Sequence, residues 1–173
     1  DQIVQTNFVP TNAVMYRRSE RLLELFEANV SDTAMPLDWL GHIVASRLGE
    51  LHMAQALMGV YRKHADGIWS QHTGATFLCK WGMQHLEFHA QAMRVTGTAH
   101  HSLWCQRLVA LFGRLFHEHF LRQDATLLAT LVCKHPGTAD LFFGSARIAV
   151  RGRGLGQLGQ AFWRFGEEKW KPL

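Results

Sequence analysis

Charge is scarce in this chain of 173 residues: Asp, Glu, Lys and Arg together make up 18% of it, against 47% apolar residues. That balance excludes a disordered or collagen-like chain, because there is enough apolar surface to build a core. Cysteine is scarce too. Cys79, Cys105 and Cys133 form neither a C-x-x-C nor a C-x-x-H spacing, so neither a disulfide framework nor a zinc knuckle is suggested, and buried thiols in a reducing compartment are expected. No stretch reaches 18 uncharged apolar residues, which argues against a simple membrane-spanning helix. Strand alternation bounded by hairpin turns is also missing, and the expected fold class is all-α. A net charge of +4 permits contact with anionic groups without demanding it, and nucleic acid is not expected as a partner.

The length fits one domain, organised as an arm with a short helix over 1–36, a helical bundle over 37–165 and a tail over 166–173. Residues 1–15 mix β-branched residues, Asn and Pro without a helical period, as an extended arm laid over something else would. In YRRSERLLELFEANV the residues Leu22, Leu23, Leu25 and Phe26 form one apolar stripe. Pro36 suits the first turn of a helix expected to run to about His64. Further helices are expected from Ser70 or Thr73 to Val95, from Ser102 to Arg122, from Asp124 to Lys134 and, after the break KHPGTAD, from Thr138 to Phe165. Such lengths and short loops suit an antiparallel bundle of four or five helices. No leader-like pattern opens the chain, and the expectation is that any targeting segment lies outside it.

The last of these helices has an unusual composition. Ser145, Ala149, Gly152, Gly156 and Gly159 recur at steps of three or four and share a helical face, which suits close approach of another backbone. Arg147, Arg151 and Arg153 accompany Phe142, Phe143, Phe162 and Trp163, a mixture that fits contact with a lipid surface. A core helix with solvated arginines is the competing reading.

Eleven histidines invite a metal hypothesis. His85 and His89 are four apart and share a helix face, one half of a metal clamp. His117 and His119 are two apart and diverge by about 200° on a helix, so they cannot chelate one ion together. His100 and His101 are neighbours in a turn, and His42, His52, His64, His72 and His135 are scattered, so ordinary hydrogen-bonded or solvated roles are expected for them. A di-iron carboxylate bundle needs about four carboxylates, two of them in Glu-x-x-His pairs. The chain contains no Glu-x-x-His, and the central parts of its main helices hold only Glu50, Glu87 and Glu118.

RLGELHMAQALMGVY, around Glu50, resembles the ligand-bearing first helix of the demethoxyubiquinone hydroxylases, a ferritin-like di-iron family. MQHLEFHAQAMRVTGTAHHSLWCQRLVALFG resembles that family's second helix, crossing turn and start of the third helix. FHEHFLRQDATL and the segment from His135 to Phe165 are similar to its later helices. The resemblance covers roughly residues 37–165 and implies a ferritin-like bundle, a mitochondrial or bacterial inner-membrane setting and a channel for a quinone or lipid tail. It puts ligand-like positions at Glu50 and His85, but Gly82 stands where the first Glu-x-x-His has its glutamate. A further ligand glutamate falls near Gly113 or Arg114. With two of six ligands kept, it implies a degenerate relative without catalytic residues or a metal. Such a protein would be an accessory subunit peripheral to the mitochondrial inner membrane, with other protein subunits and membrane lipid or ubiquinone as partners. The alternative is a di-iron quinone-modifying monooxygenase acting in ubiquinone biosynthesis. Glu50 itself is expected in a core, its charge met by His85 or Arg47.

Overall fold

The computed structural model describes residues 2–30, 33–56, 59–60, 64–67 and 74–150, with side-chain detail up to residue 144. Among the described residues every regular element is helical, so the chain is all-α. The short helix α1 (Gln2–Gln5) is followed by a 3-10 turn at Thr11–Ala13, then α2 (Glu20–Asn29) and α3 (Leu37–Ala45). Next come the long helices α4 (Gly74–Thr96) and α5 (His101–Leu121), joined by a 3-10 turn over Gly97–His100, and then α6 (Ala125–Lys134) and α7 (Pro136–Val150).

Local chemistry sets most of these boundaries. The Ser19 hydroxyl accepts from Leu22 N at 3.1 Å and caps α2, whose Leu22 is buried. At its far end α4 closes on Thr96, whose hydroxyl donates to Ala92 O at 2.8 Å. Gly97 then takes a left-handed φ of +62° that a side chain would resist. The Asp124 carboxylate accepts from Leu127 N at 3.0 Å to start α6, and Pro136 opens α7, where its missing N–H is no loss. α2, α4, α5 and α6 therefore fall within a few residues of their expected limits.

The helix expected from Pro36 to His64 differs. It ends at Ala45 after nine residues. The Ser46 hydroxyl donates to Ile43 O at 2.7 Å, and the amides of Arg47 and Leu48 turn back to Val44 O and Ala45 O in three-residue steps. The ladder tightens and stops before Gly49. Residues 51–54 carry no regular structure, and Leu51 and Met53 are exposed. The apolar period in that stretch reads as a buried helix face, yet among the described residues no helix covers Leu51 or Met53.

The antiparallel pair of α4 and α5 forms the spine, and two apolar clusters sit at its two ends. One gathers Ile3 and Val4 of α1, Leu40, Ile43 and Val44 of α3, Phe88, Ala92 and Val95 of α4, and Trp104 of α5. The other joins Leu78 and Leu86 of α4 to Leu108, Leu111, Phe112 and Leu115 of α5, with Leu131, Ala139 and Phe142 from α6 and α7. Met93 packs against both. The amino-terminal arm does lie over the bundle, though partly as helix. Arg107 of α5 holds it, donating to Val4 O at 2.9 Å and to Gln5 O, with its guanidinium 4.9 Å from the Trp104 ring.

Candidate functional site

The two ligand-like positions, Glu50 and His85, fall in separate places. Glu50 is exposed beyond the end of α3, which corrects the expectation of a buried carboxylate; the short α3 leaves it outside the core. It lines an open cleft of about 690 Å³ with Ile3, Phe8, Ile43, Arg47 and His100. Arg47 donates to Val95 O in the last turn of α4. His85 lies ten residues back along α4 from that point, about 15 Å of helix rise, so Glu50 and His85 are not brought together.

His85 faces the packed side of α4, edge-on to Phe77 at 5.0 Å, and burial pushes its imidazole down to about 4. His89, one turn on, is 6% exposed, and burial, with smaller effects from His85 and Arg107, takes it down to about 3. Its Nδ1 is buried without a hydrogen-bond partner. Both rings are therefore neutral at physiological pH and are set among aromatic groups, with Trp104 5.7 Å from His89. Glu87, on the same helix, is taken up elsewhere: it accepts from Gln91 at 2.8 Å and pairs with Arg94 at 3.4 Å.

At Gly82, and at Gly113, one of the two positions where the resemblance puts the further glutamate, the space is filled by hydrocarbon. A Cβ placed on Gly82 would sit 3.1 Å from Leu115 Cγ and nearer still to its Cδ2. A Cβ placed on Gly113 would sit 2.6 Å from a Phe142 ring carbon. Each glycine is the hole that receives a side chain from the facing helix, and Leu115 and Phe142 are 0% and 2% exposed. A side chain at either position would have to displace Leu115 or Phe142 from its place in the core. Among the described residues no group of three or more His, Cys, Asp or Glu side chains is arranged around a common point. A pair of irons would need several anionic oxygens between these helices, and the described residues bring no such group together there.

Two of the residues expected at a lipid surface, Phe142 and Phe143, are described with their side chains. Phe142 is buried against Gly113 and Phe112, its ring 5.5 Å from the latter, because α7 turns this face toward α5. Phe143 is half-buried and edge-on to Phe116 at 5.3 Å. Arg147 lies on α7 beyond the described side chains, and Arg151, Arg153, Phe162 and Trp163 lie outside the described residues. No described helix is long and apolar enough to cross a membrane.

Sequence reasoning missed a polar latch. Thr11 donates to the Asp38 carboxylate at 2.6 Å, the Tyr16 hydroxyl bonds His42 Nδ1, and Asn12 donates to Val60 O at 3.2 Å. Burial lowers the His42 pKa against the opposing effect of Asp38; burial and Asp38 together raise that of Tyr16. The latch ties residues 11–16 to α3 through Asp38 and His42, and to residue 60 through Asn12. Its members are 26 to 48 residues apart, and no local spacing announces them.

This is an all-α chain whose central helical pair is packed with aromatic rings, neutral histidines and aliphatic side chains. Among known proteins it is similar to the uncharacterized proteins Rv1520 of Mycobacterium tuberculosis and Mb1547 of Mycobacterium bovis. Each is 42% identical over 69 residues, which is 40% of this chain and 18% of the relative. The matched stretch thus spans less than a fifth of the length of those curated relatives. No protein-family description matches the chain, and no solved structure matches it.

Proposed function

We propose that this chain is a non-catalytic helical module that serves as an accessory, structural part of a larger assembly. In its finer form, the reading makes α4 and α5 the central hairpin of a ferritin-like bundle related to the demethoxyubiquinone hydroxylases, one that kept the packing and lost the ligands. The observation that carries it is the filling of the Gly82 and Gly113 positions by Leu115 and Phe142. A carboxylate there would displace core hydrocarbon and lie buried without partners. Exposed Phe120, Leu121 and Leu141, at 62%, 63% and 52%, support a role in contact with other protein segments, which would cover them. The setting in this reading is the periphery of an inner membrane, with lipid or a quinone tail against the last helix.

The test is metal content and turnover. Protein produced with excess iron is assayed by plasma mass spectrometry and for hydroxylation of a demethoxyubiquinone analogue. The expected result is far less than one iron per chain and no hydroxylation. Two irons per chain with turnover would overturn the proposal and establish the monooxygenase.

A further inference from the structure

At the corner between α4 and α5 the Cys105 thiol has both a thioether sulfur and an imidazole nitrogen within reach. Cys105 Sγ lies 3.8 Å from Met93 Sδ, to which its thiol donates, and 3.3 Å from His101 Nε2. Met93 comes from the last turn but one of α4, while His101 and Cys105 are one turn apart at the start of α5. The reversal that brings the two helix ends together is made by the 3-10 turn over Gly97–His100, whose first residue has the left-handed φ that allows it. The sulfur atoms are half-buried and the imidazole is exposed, so an ion has an entry path to a mostly shielded position.

We propose that Met93, His101 and Cys105 form a binding site for one soft monovalent cation, copper(I). Thiolate and thioether sulfur select copper(I) over harder divalent ions, and imidazole is a good third donor. With metal–sulfur and metal–nitrogen bonds of about 2.3 Å and 2.0 Å, a trigonal ion spaces two sulfurs by about 4.0 Å and a sulfur and a nitrogen by about 3.7 Å. The observed separations of 3.8 and 3.3 Å need to open by only a few tenths of an ångström, which rotation of the exposed His101 ring supplies. On binding, the Cys105 thiol gives its proton to solvent, and the thiolate balances the single positive charge of the ion. A divalent ion would lack that balance and would still need a fourth donor. Neither Cys79 nor Cys133 belongs to this corner. Cys79 is on the first turns of α4 and Cys133 is on α6.

Anaerobic titration of the whole chain with copper(I), in competition with bicinchoninate, tests this. The expected result is one copper(I) held per chain, with an X-ray absorption shell of two sulfurs and one nitrogen. Cys105→Ser should weaken binding at least about 100-fold, and Met93→Leu and His101→Asn about tenfold or more each, as losses around metal ligands do. The Cys79→Ser/Cys133→Ser variant should bind as the parent does. Met93→Leu conserves volume and His101 is exposed, so both variants keep the fold, and helical circular dichroism checks this. Parent-like binding in Cys105→Ser, or loss of binding in Cys79→Ser/Cys133→Ser, would overturn the proposal.

Discussion

Leu115 enters the hole at Gly82, and that contact makes a quantitative prediction about how the two residues depend on each other. Gly82→Ala gains about 1 kcal/mol of helix propensity. It also forces a methyl group against Leu115, which is fully buried and has little room to turn, at a cost of about 1–3 kcal/mol. The net is a loss of about 0–2 kcal/mol. Leu115→Ala alone leaves a void and should cost about 2–5 kcal/mol. In the double variant the clash is gone, the new methyl occupies part of the void and the propensity gain survives. It should therefore be more stable than Leu115→Ala by about 1 kcal/mol. The coupling between the sites should amount to about 1–3 kcal/mol. Urea unfolding of the four proteins, followed by far-ultraviolet circular dichroism, measures the cycle. Additivity within about 0.5 kcal/mol would mean that the two residues do not share the space, and the packing argument against a carboxylate at position 82 would fall with it.

Three further outcomes are expected. His89 is held neutral by burial, with its pKa lowered to about 3, so in the native state it resists protonation while the unfolded chain takes up a proton near pH 6.5. Its contribution is flat above that value and turns against the fold as pH drops; by pH 5 it removes about 2 kcal/mol. His89→Gln should lessen the fall in urea midpoint over this range, and an unchanged slope would contradict the assignment. Arg107→Ala should release residues 2–9, seen as faster amide exchange there, with a stability loss of about 2 kcal/mol from its charged hydrogen bonds to Val4 O and Gln5 O. Removing the cap of α6 by Asp124→Ala should cost about 1 kcal/mol, measured by thermal unfolding; no change would mean the cap is already satisfied by solvent.

How far the sequence could be read differs from element to element. The limits of α5 and α6 were legible because their causes are local: Asp124 caps the amide three residues on, and Pro136 cannot continue α6. The run from Leu48 to residue 56 was misread for a physical reason. Apolar periodicity shows that a segment would be amphipathic if helical, and it is silent on whether another surface arrives to cover it. Glu50 followed that misreading out of the core and into an open cleft. Phe142 shows the reverse case: its place in an aromatic and cationic stretch suggested lipid, whereas Gly113 on α5 offers it a hole.

Composition and spacing alone determined that the fold class is all-α, that two of the helices divide at the Thr-Gly-Thr corner, and that the chain lacks the paired Glu-x-x-His of a two-iron centre. Those properties depend on residues within a few positions of one another, where backbone geometry translates spacing directly into place. The tertiary structure alone decided that Leu115 and Phe142 fill the two glycine holes, that Glu50 faces solvent, and that Met93 meets Cys105. Each of these depends on which face of one helix meets which face of another, and packing energy summed over the whole core makes that choice.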